Sequence, residues 1–204
     1  MKILIAVPTF ENICPDTFKS IYELDPAGHQ LVFDYVRGYD CATARNNIVA
    51  QSKNEKVDYV LMVDSDLVLP KDALKNLLED PKDVCLGFCA RRTDPLKYNG
   101  VTCIYKLGEF SFTQHYTADE LKDFRENGEH KVQIHGGGMA CALIRVDVFD
   151  RIQYPWFDWV NYKTIGQLSE DLYFCVQCKN ADIPIHVDTR VGCGHVLRYV
   201  QNVM

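Results

Sequence analysis

Residues 60–66 read Val60-Leu61-Met62-Val63-Asp64-Ser65-Asp66. With Val57, Tyr59 and no polar alternation, this run predicts a strand over Val57–Val63 buried on both faces, the pattern of a parallel sheet interior. The strand then ends in two carboxylates one residue apart. In open α/β sheets ligands sit at the carboxyl ends of strands, near a switch in strand order. Two carboxylates there resist joint ionisation unless they share a cation. Oxygen ligands favour Mg2+ or Mn2+, ions that keep positions open for substrate phosphates. Asp and Ser are also common in plain turns, which is the alternative reading.

Outward from this strand the pattern alternates. Lys2–Val7 is an apolar, β-rich run, and Cys14–Leu24 places Phe18, Ile21, Tyr22 and Leu24 at helical spacing before Pro26 and Gly28. Gln30–Val36 predicts a strand, Ala42–Asn54 a helix, Asp72–Leu78 a short helix and Val84–Cys89 a strand. Strands alternating with helices imply crossovers and a mostly parallel, mixed sheet between two helical layers: a three-layer α/β sandwich. The second half is less regular. Strands are expected at Val101–Leu107, Lys131–His135, Ala140–Val146 and Pro184–Asp188. Thr117-Ala118-Asp119-Glu120 is a capping box opening a helix through Phe124, and Ser169 caps a helix from Glu170 to Asn180. No repeat, linker or low-complexity segment interrupts the chain, so a single domain over residues 1–204 is expected.

Composition narrows the function classes. The chain has 204 residues, 47% of them hydrophobic and 25% charged, enough for one domain with a core. No run approaches the ~18 apolar residues of a membrane span. The opening apolar run stops at Pro8 with no small-residue cleavage site after it, which predicts a strand rather than an export signal. Nine cysteines at irregular spacing then predict reduced thiols in a cytoplasmic protein. A net charge of −6 gives no general reason to bind nucleic acid.

Further constellations carry chemistry. Glu170-Asp171 follows Ser169, where acids favour the helix dipole and where a carboxylate could also take a proton from a hydroxyl. Gly136-Gly137-Gly138 lacks the spacing and following helix of a dinucleotide fingerprint; it implies backbone passing close to a ligand, or a tight bend. In Gly192-Cys193-Gly194-His195 the glycines let the backbone present the histidine. Cys175 and Cys178 with Cys193 and His195 offer four zinc-type ligands, but the pair lies at i, i+3 inside a helix among apolar residues, which disfavours zinc.

In this order and spacing the segments resemble the GT-A glycosyltransferases, especially small bacterial and phage-type members related to the large inverting family, over nearly the whole chain. Ile3–Val7 with Pro8-Thr9 resembles the opening nucleotide-binding strand, and Ala44-Arg45-Asn46 the helix before the metal strand. Asp64-Ser65-Asp66 resembles the D-x-D motif, Gly137-Gly138-Met139-Ala140 the glycine-bearing segment beside donor and acceptor, Glu170-Asp171 the acidic pair with the catalytic base, and His195 the C-terminal metal ligand. Where that family usually ends its second strand in paired aspartates contacting the base, this chain has only Asp34.

The resemblance implies a GT-A, Rossmann-like fold with a nucleotide-binding half (1–95) and an acceptor and catalytic half (96–204). It implies a UDP- or GDP-sugar donor, a hydroxyl acceptor, and Mn2+ or Mg2+ bridged from Asp64, Asp66 and His195 to the diphosphate. Thr9, Asp34, Arg45, Asp64, Gly137 and Gly138 would hold the nucleotide-sugar. Asp171, beside Glu170, would deprotonate the acceptor, giving inversion. Trp156 and Trp159 are either sugar-stacking residues or core anchors. Two rivals are a haloacid-dehalogenase-type phosphatase using Asp64 and Asp66, and a non-catalytic nucleotide-sugar-binding module. The phosphatase normally carries its motif on the first strand.

Overall fold

The computed structural model describes residues 1–91, 100–107, 112–162 and 166–197. The expected boundary between the halves, at residues 95 and 96, lies outside them. The first half alternates as its sequence predicts: β1 (Lys2–Thr9), α1 (Pro15–Tyr22), β2 (Gln30–Arg37), α2 (Cys41–Asn54), β3 (Tyr59–Val63), β4 (Leu67–Val68), α3 (Ala73–Leu78) and β5 (Val84–Cys89). Then follow β6 (Val101–Tyr105), β7 (His115–Thr117), α4 (Ala118–Glu126), β8 (Lys131–Ile134), β9 (Gly136–Gly137), β10 (Cys141–Arg145) and α5 (Val148–Arg151). The described chain closes with β11 (Val160–Tyr162), β12 (Gly166–Leu168), α6 (Glu170–Asn180) and β13 (Ile185–His195).

The main sheet runs β2-β1-β3-β10-β5-β13-β4, with β8 also paired to β13. Strands β2, β1, β3, β5 and β13 point one way; β10, β4 and β8 run against them. The chain leaves β1 for β2 on one side and returns to β3 on the other. The strand order therefore switches at the carboxyl ends of β1 and β3, where a crevice opens.

Period-2 alternation builds two cores. Ile3, Ile5 and Val7 point to a cluster with Ile21 of α1 and Leu74 and Leu77 of α3. Leu4 and Ala6 point the other way, to Ile48 and Val49 of α2 and Phe174 of α6. Every residue of β3 is buried, and each such Leu or Val contributes about 1.5–3 kcal/mol over its exposed state. This is the three-layer sandwich expected.

Two expectations need correction. The apolar face of α1 buries Ile21, while Phe18 and Tyr22 stay 51% and 83% exposed. Thr17 and Ser20 take the buried positions instead; the Ser20 hydroxyl donates to the Thr17 carbonyl and accepts the Leu69 N–H, which satisfies Ser20, whereas the buried Thr17 hydroxyl has no hydrogen-bond partner. The last strand was expected to end at Asp188; it runs on to His195. A register shift between Val187 and Gly192 lets it resume beside β5, and Gly194 and His195 then pair with Val68 and Leu67. Asp188 holds this bulge, accepting from the Arg190 backbone N–H at 3.0 Å and from the Arg190 side chain at 3.0 and 2.8 Å.

Candidate active site

A cleft of about 500 Å3 opens at the switch point, lined by Pro8, Thr9 and Phe10 after β1, by Tyr39, Asp40, Cys41 and Ala44 at the start of α2, and by Asp64, Ser65, Asp66 and His195. Backbone hydrogen bonds fix the acidic turn residue by residue. The Asp64 N–H donates to the Ala140 carbonyl, the Ser65 carbonyl accepts from the Cys14 N–H, and the Asp66 carbonyl accepts from the Val196 N–H, each at 2.8 Å. Thr9 stands at the cleft floor, its hydroxyl donating to the Asn12 carbonyl at 2.8 Å. Asp40 caps α2 by accepting the Thr43 N–H, and the Thr43 hydroxyl together with that N–H holds its carboxyl below the usual range.

Through its pairing with β4, strand β13 brings His195 to Asp66, 129 residues away in sequence. His195 Nδ1 lies 3.1 Å from the Ala90 carbonyl oxygen. A carbonyl only accepts, so Nδ1 carries a proton, and in the neutral ring Nε2 turns its lone pair to Asp66 Oδ1, 3.6 Å away. Two acceptors face each other at a distance too long for a hydrogen bond. In that tautomer both atoms offer lone pairs to the cleft, a carboxylate oxygen and an imidazole nitrogen, which is donor chemistry that fits a divalent cation. Among the described residues no three His, Cys, Asp or Glu converge on one metal position. The zinc set is dispersed: Cys175 and Cys178 are buried in the core on one face of the sheet, while Cys193 packs against the core on the other.

Asp64 is engaged differently. Its Oδ1 accepts from Arg45 Nη2 at 3.0 Å, and Arg45 also reaches the Met139 carbonyl at 3.3 Å and Glu170 Oε1 at 3.5 Å. Arg45 is 3% exposed and does not line the cleft. The expected nucleotide contact is therefore a buried bracket that fixes Asp64 from behind. Burial penalises the guanidinium, but Asp64 and Glu170 outweigh this and hold it protonated. Glu170 is itself buried, and loss of hydration pushes its carboxyl up despite Arg45 beside it.

Next along α6, Asp171 is less buried. Ser169 occupies the N-cap position but caps no backbone group; its hydroxyl donates to Asp171 Oδ1, which also accepts the Leu172 N–H at 2.8 Å. Asp171 Oδ2 lies 3.5 Å from the place a Cβ on Gly138 would take. Gly138 thus borders the candidate base rather than the cleft. At Gly137 a Cβ would meet Ile104 Cδ1 at 2.8 Å and Leu86 Cδ1 at 2.9 Å, so close side-chain packing accounts for a glycine there.

Asp34 is not brought to the cleft. It stands opposite Ala6, three residues before the end of β2, and its carboxylate accepts from the Tyr35 N–H and the Gln51 side chain. The residues that do flank the cleft, Phe10 and Tyr39, are 71% and 52% exposed. Their sequence signal was exposed aromatics just past strand ends, weak because half-buried strands end the same way. Asn46, beside Arg45, bonds the backbone of Trp156 and Phe157 three times, at 2.8, 3.1 and 3.2 Å, anchoring the loop that leads to β11. Trp156 is a core anchor, its indole N–H donating to the Phe149 carbonyl, whereas Trp159 is 44% exposed.

A model of the family described as Glycosyl transferase family 2 matches residues 31–153. Among solved structures, the chain is similar to the crystal structure of A197 from STIV, with 15% identity, a TM-score of 0.61, and coverage of 97% of this chain and 87% of that one. It is also similar to the crystal structure of GalNAc-T7 with UDP, GalNAc and Mn2+, with 12% identity, a TM-score of 0.61, and coverage of 96% of this chain but 44% of that one. No curated protein matches the sequence.

Proposed function

The chain belongs to glycosyl transferase family 2, and from that premise we propose that it moves a sugar from a nucleoside-diphosphate sugar to an acceptor hydroxyl, with Mn2+ or Mg2+ held at Asp66 and His195. The observation that carries this is the facing pair of acceptors, Asp66 Oδ1 and His195 Nε2, in a cleft at the strand-order switch. An imidazole nitrogen is the softer donor and suits Mn2+ better than Mg2+. Asp66 and His195 would hold such a cation, leaving positions open for diphosphate oxygens and water. A UDP- and Mn2+-bound structural neighbour supports the same ligand classes.

The chain's own residues divide the work. Phe10 and Tyr39 offer faces for the nucleobase, of which uracil and guanine are the candidates. The amino end of α2, at Asp40–Ala44 in the cleft wall, favours the diphosphate. Arg45 and Glu170 position Asp64 and the start of α6. Asp171, held by Ser169 and the Leu172 N–H, takes the acceptor proton as the acceptor oxygen attacks the anomeric carbon in line. The bond from that carbon to the diphosphate breaks, and configuration inverts. The chemistry a bound cation supplies is neutralisation of the leaving diphosphate.

The phosphatase alternative needs Asp64 as nucleophile, but its Oδ1 is paired with Arg45 and its strand is the third of the chain. Nine free cysteines fit a cytoplasmic protein, and no described helix is long and apolar enough to cross a membrane.

Thermal unfolding with UDP- or GDP-sugars and Mn2+ tests the reading. Donor should raise the Tm of wild type only with metal, because a ligand of the native state stabilises it by RT ln(1 + [L]/Kd). Asp66→Ala should lose that rise while remaining folded. Equal donor binding in excess chelator would remove the metal from the proposal. Binding without release of nucleoside diphosphate would make the chain a sugar-nucleotide-binding module.

A further inference from the structure

Cys89 and Cys103 are cross-strand partners beside the site that the proposed chemistry leaves unused. Ala90 bridges Thr102 in antiparallel sense, which sets Cys89 opposite Cys103, and their sulfurs lie 3.8 Å apart. Opposed antiparallel residues have Cα atoms about 4.5–5.5 Å apart, inside the ~4.4–6.8 Å span a disulfide needs. A short side-chain adjustment joins them. We propose that Cys89 and Cys103 form a redox-responsive dithiol, closed to a disulfide by a peroxide, and that closure reshapes the active site from both ends.

The pair touches both halves of the machinery. Cys89 is followed by Ala90, whose carbonyl sets the ring of His195. On its other edge, the Cys103 carbonyl accepts from the Gly138 N–H at 3.1 Å. The Cys103 sulfur and Asp171 Oδ2 both border the space a Gly138 Cβ would fill, at 3.7 and 3.5 Å. Drawing the two sulfurs to ~2.05 Å pulls on the segments that hold a metal ligand and the candidate base.

The order of reaction follows from exposure. Cys103 is half-buried and Cys89 is 4% exposed, so an oxidant meets Cys103 first. The Cys89 S–H beside it favours the Cys103 thiolate. That thiolate attacks peroxide and gives a sulfenic acid and hydroxide; the Cys89 sulfur then displaces the sulfenic oxygen as water. Two thiols are oxidised by two electrons, and one hydrogen peroxide becomes two waters. In a reducing compartment such a bond is transient, as a switch requires.

The test uses the full chain, reduced, freed of reductant and titrated with hydrogen peroxide, then alkylated and mapped by mass spectrometry. A peptide linked through Cys89 and Cys103, reversed by dithiothreitol and absent from Cys103→Ala and Cys89→Ala, is expected. Oxidation confined to other cysteines, or Cys103 passing to sulfinic acid unlinked, would overturn the site. Wild type itself carries this outcome if a variant fails to fold. Nucleoside-diphosphate release should fall severalfold in the linked protein and recover on reduction. That arm rests on the proposed transfer, whereas the mapped linkage does not, so the two failures are distinguishable. A link that leaves release unchanged would sever the dithiol from the site.

Discussion

Arg45 and Asp188 are both charged side chains taken out of water, and each meets two groups of opposite sign, yet the two clusters balance their charge differently. Arg45 is one cation between two carboxylates, Asp64 and Glu170. Asp188 is one carboxylate between two cations, Lys131 at 2.8 Å and Arg190 at 2.8 Å. The consequences for the acids differ. At Glu170 burial outweighs Arg45, and the carboxyl is pushed up. At Asp188 burial pushes the same way, but the bonds from Arg190 and Lys131 outweigh it and hold the carboxyl down. Glu79 also pairs with Arg190, so the cluster in the β13 bulge is charge-balanced, as suits a structural pin. The cluster behind the cleft keeps a net negative charge where a cation is proposed to bind.

Removing Arg45 should have the largest effect. Arg45→Ala strands Glu170 as a buried acid without its partner, and breaking a buried pair this way costs about 3–5 kcal/mol. It also frees Asp64, so donor-dependent stabilisation by Mn2+ should weaken in the same variant. Chemical denaturation gives the first and thermal shift the second. A stability change below ~1 kcal/mol would mean that the bracket does not form in solution.

Asp171 and Asp188 separate chemistry from support. Asp171→Asn keeps the shape of the side chain and its acceptance of the Leu172 N–H, so the fold should survive. Removal of the base should cut turnover about a hundred to ten thousand times, read as nucleoside-diphosphate release. Unchanged turnover would leave Asp171 a helix-start acid. Asp188→Asn should instead cost stability, about 3 kcal/mol, at the low end for a broken buried pair. The reason for the low end is that Lys131 keeps the Asn76 and Leu77 carbonyls and Arg190 keeps Glu79 and the Asn76 carbonyl. For a chain of this length that is a fall in Tm of roughly 6–12 °C.

The smallest effects lie in the pH dependence, where the two acids have opposite signs. Asp188 is held below the ordinary 3.8, so the stability it contributes is present above that pH and is lost as pH falls through its folded value. Glu170 is pushed above the ordinary 4.5, so its contribution is present below that pH and is lost as pH rises through its folded value. Denaturation curves against pH should show Asp188→Asn flattening the acid limb below pH ~4 and Glu170→Gln flattening the decline above pH ~4.5. The same sign in both variants would erase the distinction between the clusters.

The sequence by itself determined the alternation of strands and helices in the first half of the chain. Val60–Val63 is too apolar to be anything but a doubly buried strand, and Val84–Cys89 was bounded as it stands. The Thr117–Glu120 capping box forms with both of its reciprocal bonds. These features are local: periodicity, propensity and caps act within a few residues and so are written in the sequence. Only the tertiary structure decided what crosses the chain. It extended β13 past the Asp188 bulge and so set His195 against Asp66. It turned Arg45 inward onto Asp64 and Glu170, left Asp34 on Gln51, and used Ser169 to hold Asp171 rather than to cap. Each depends on which strands become neighbours. A side chain's partner across 125 or 129 residues is fixed by strand order and burial, and no local pattern encodes it.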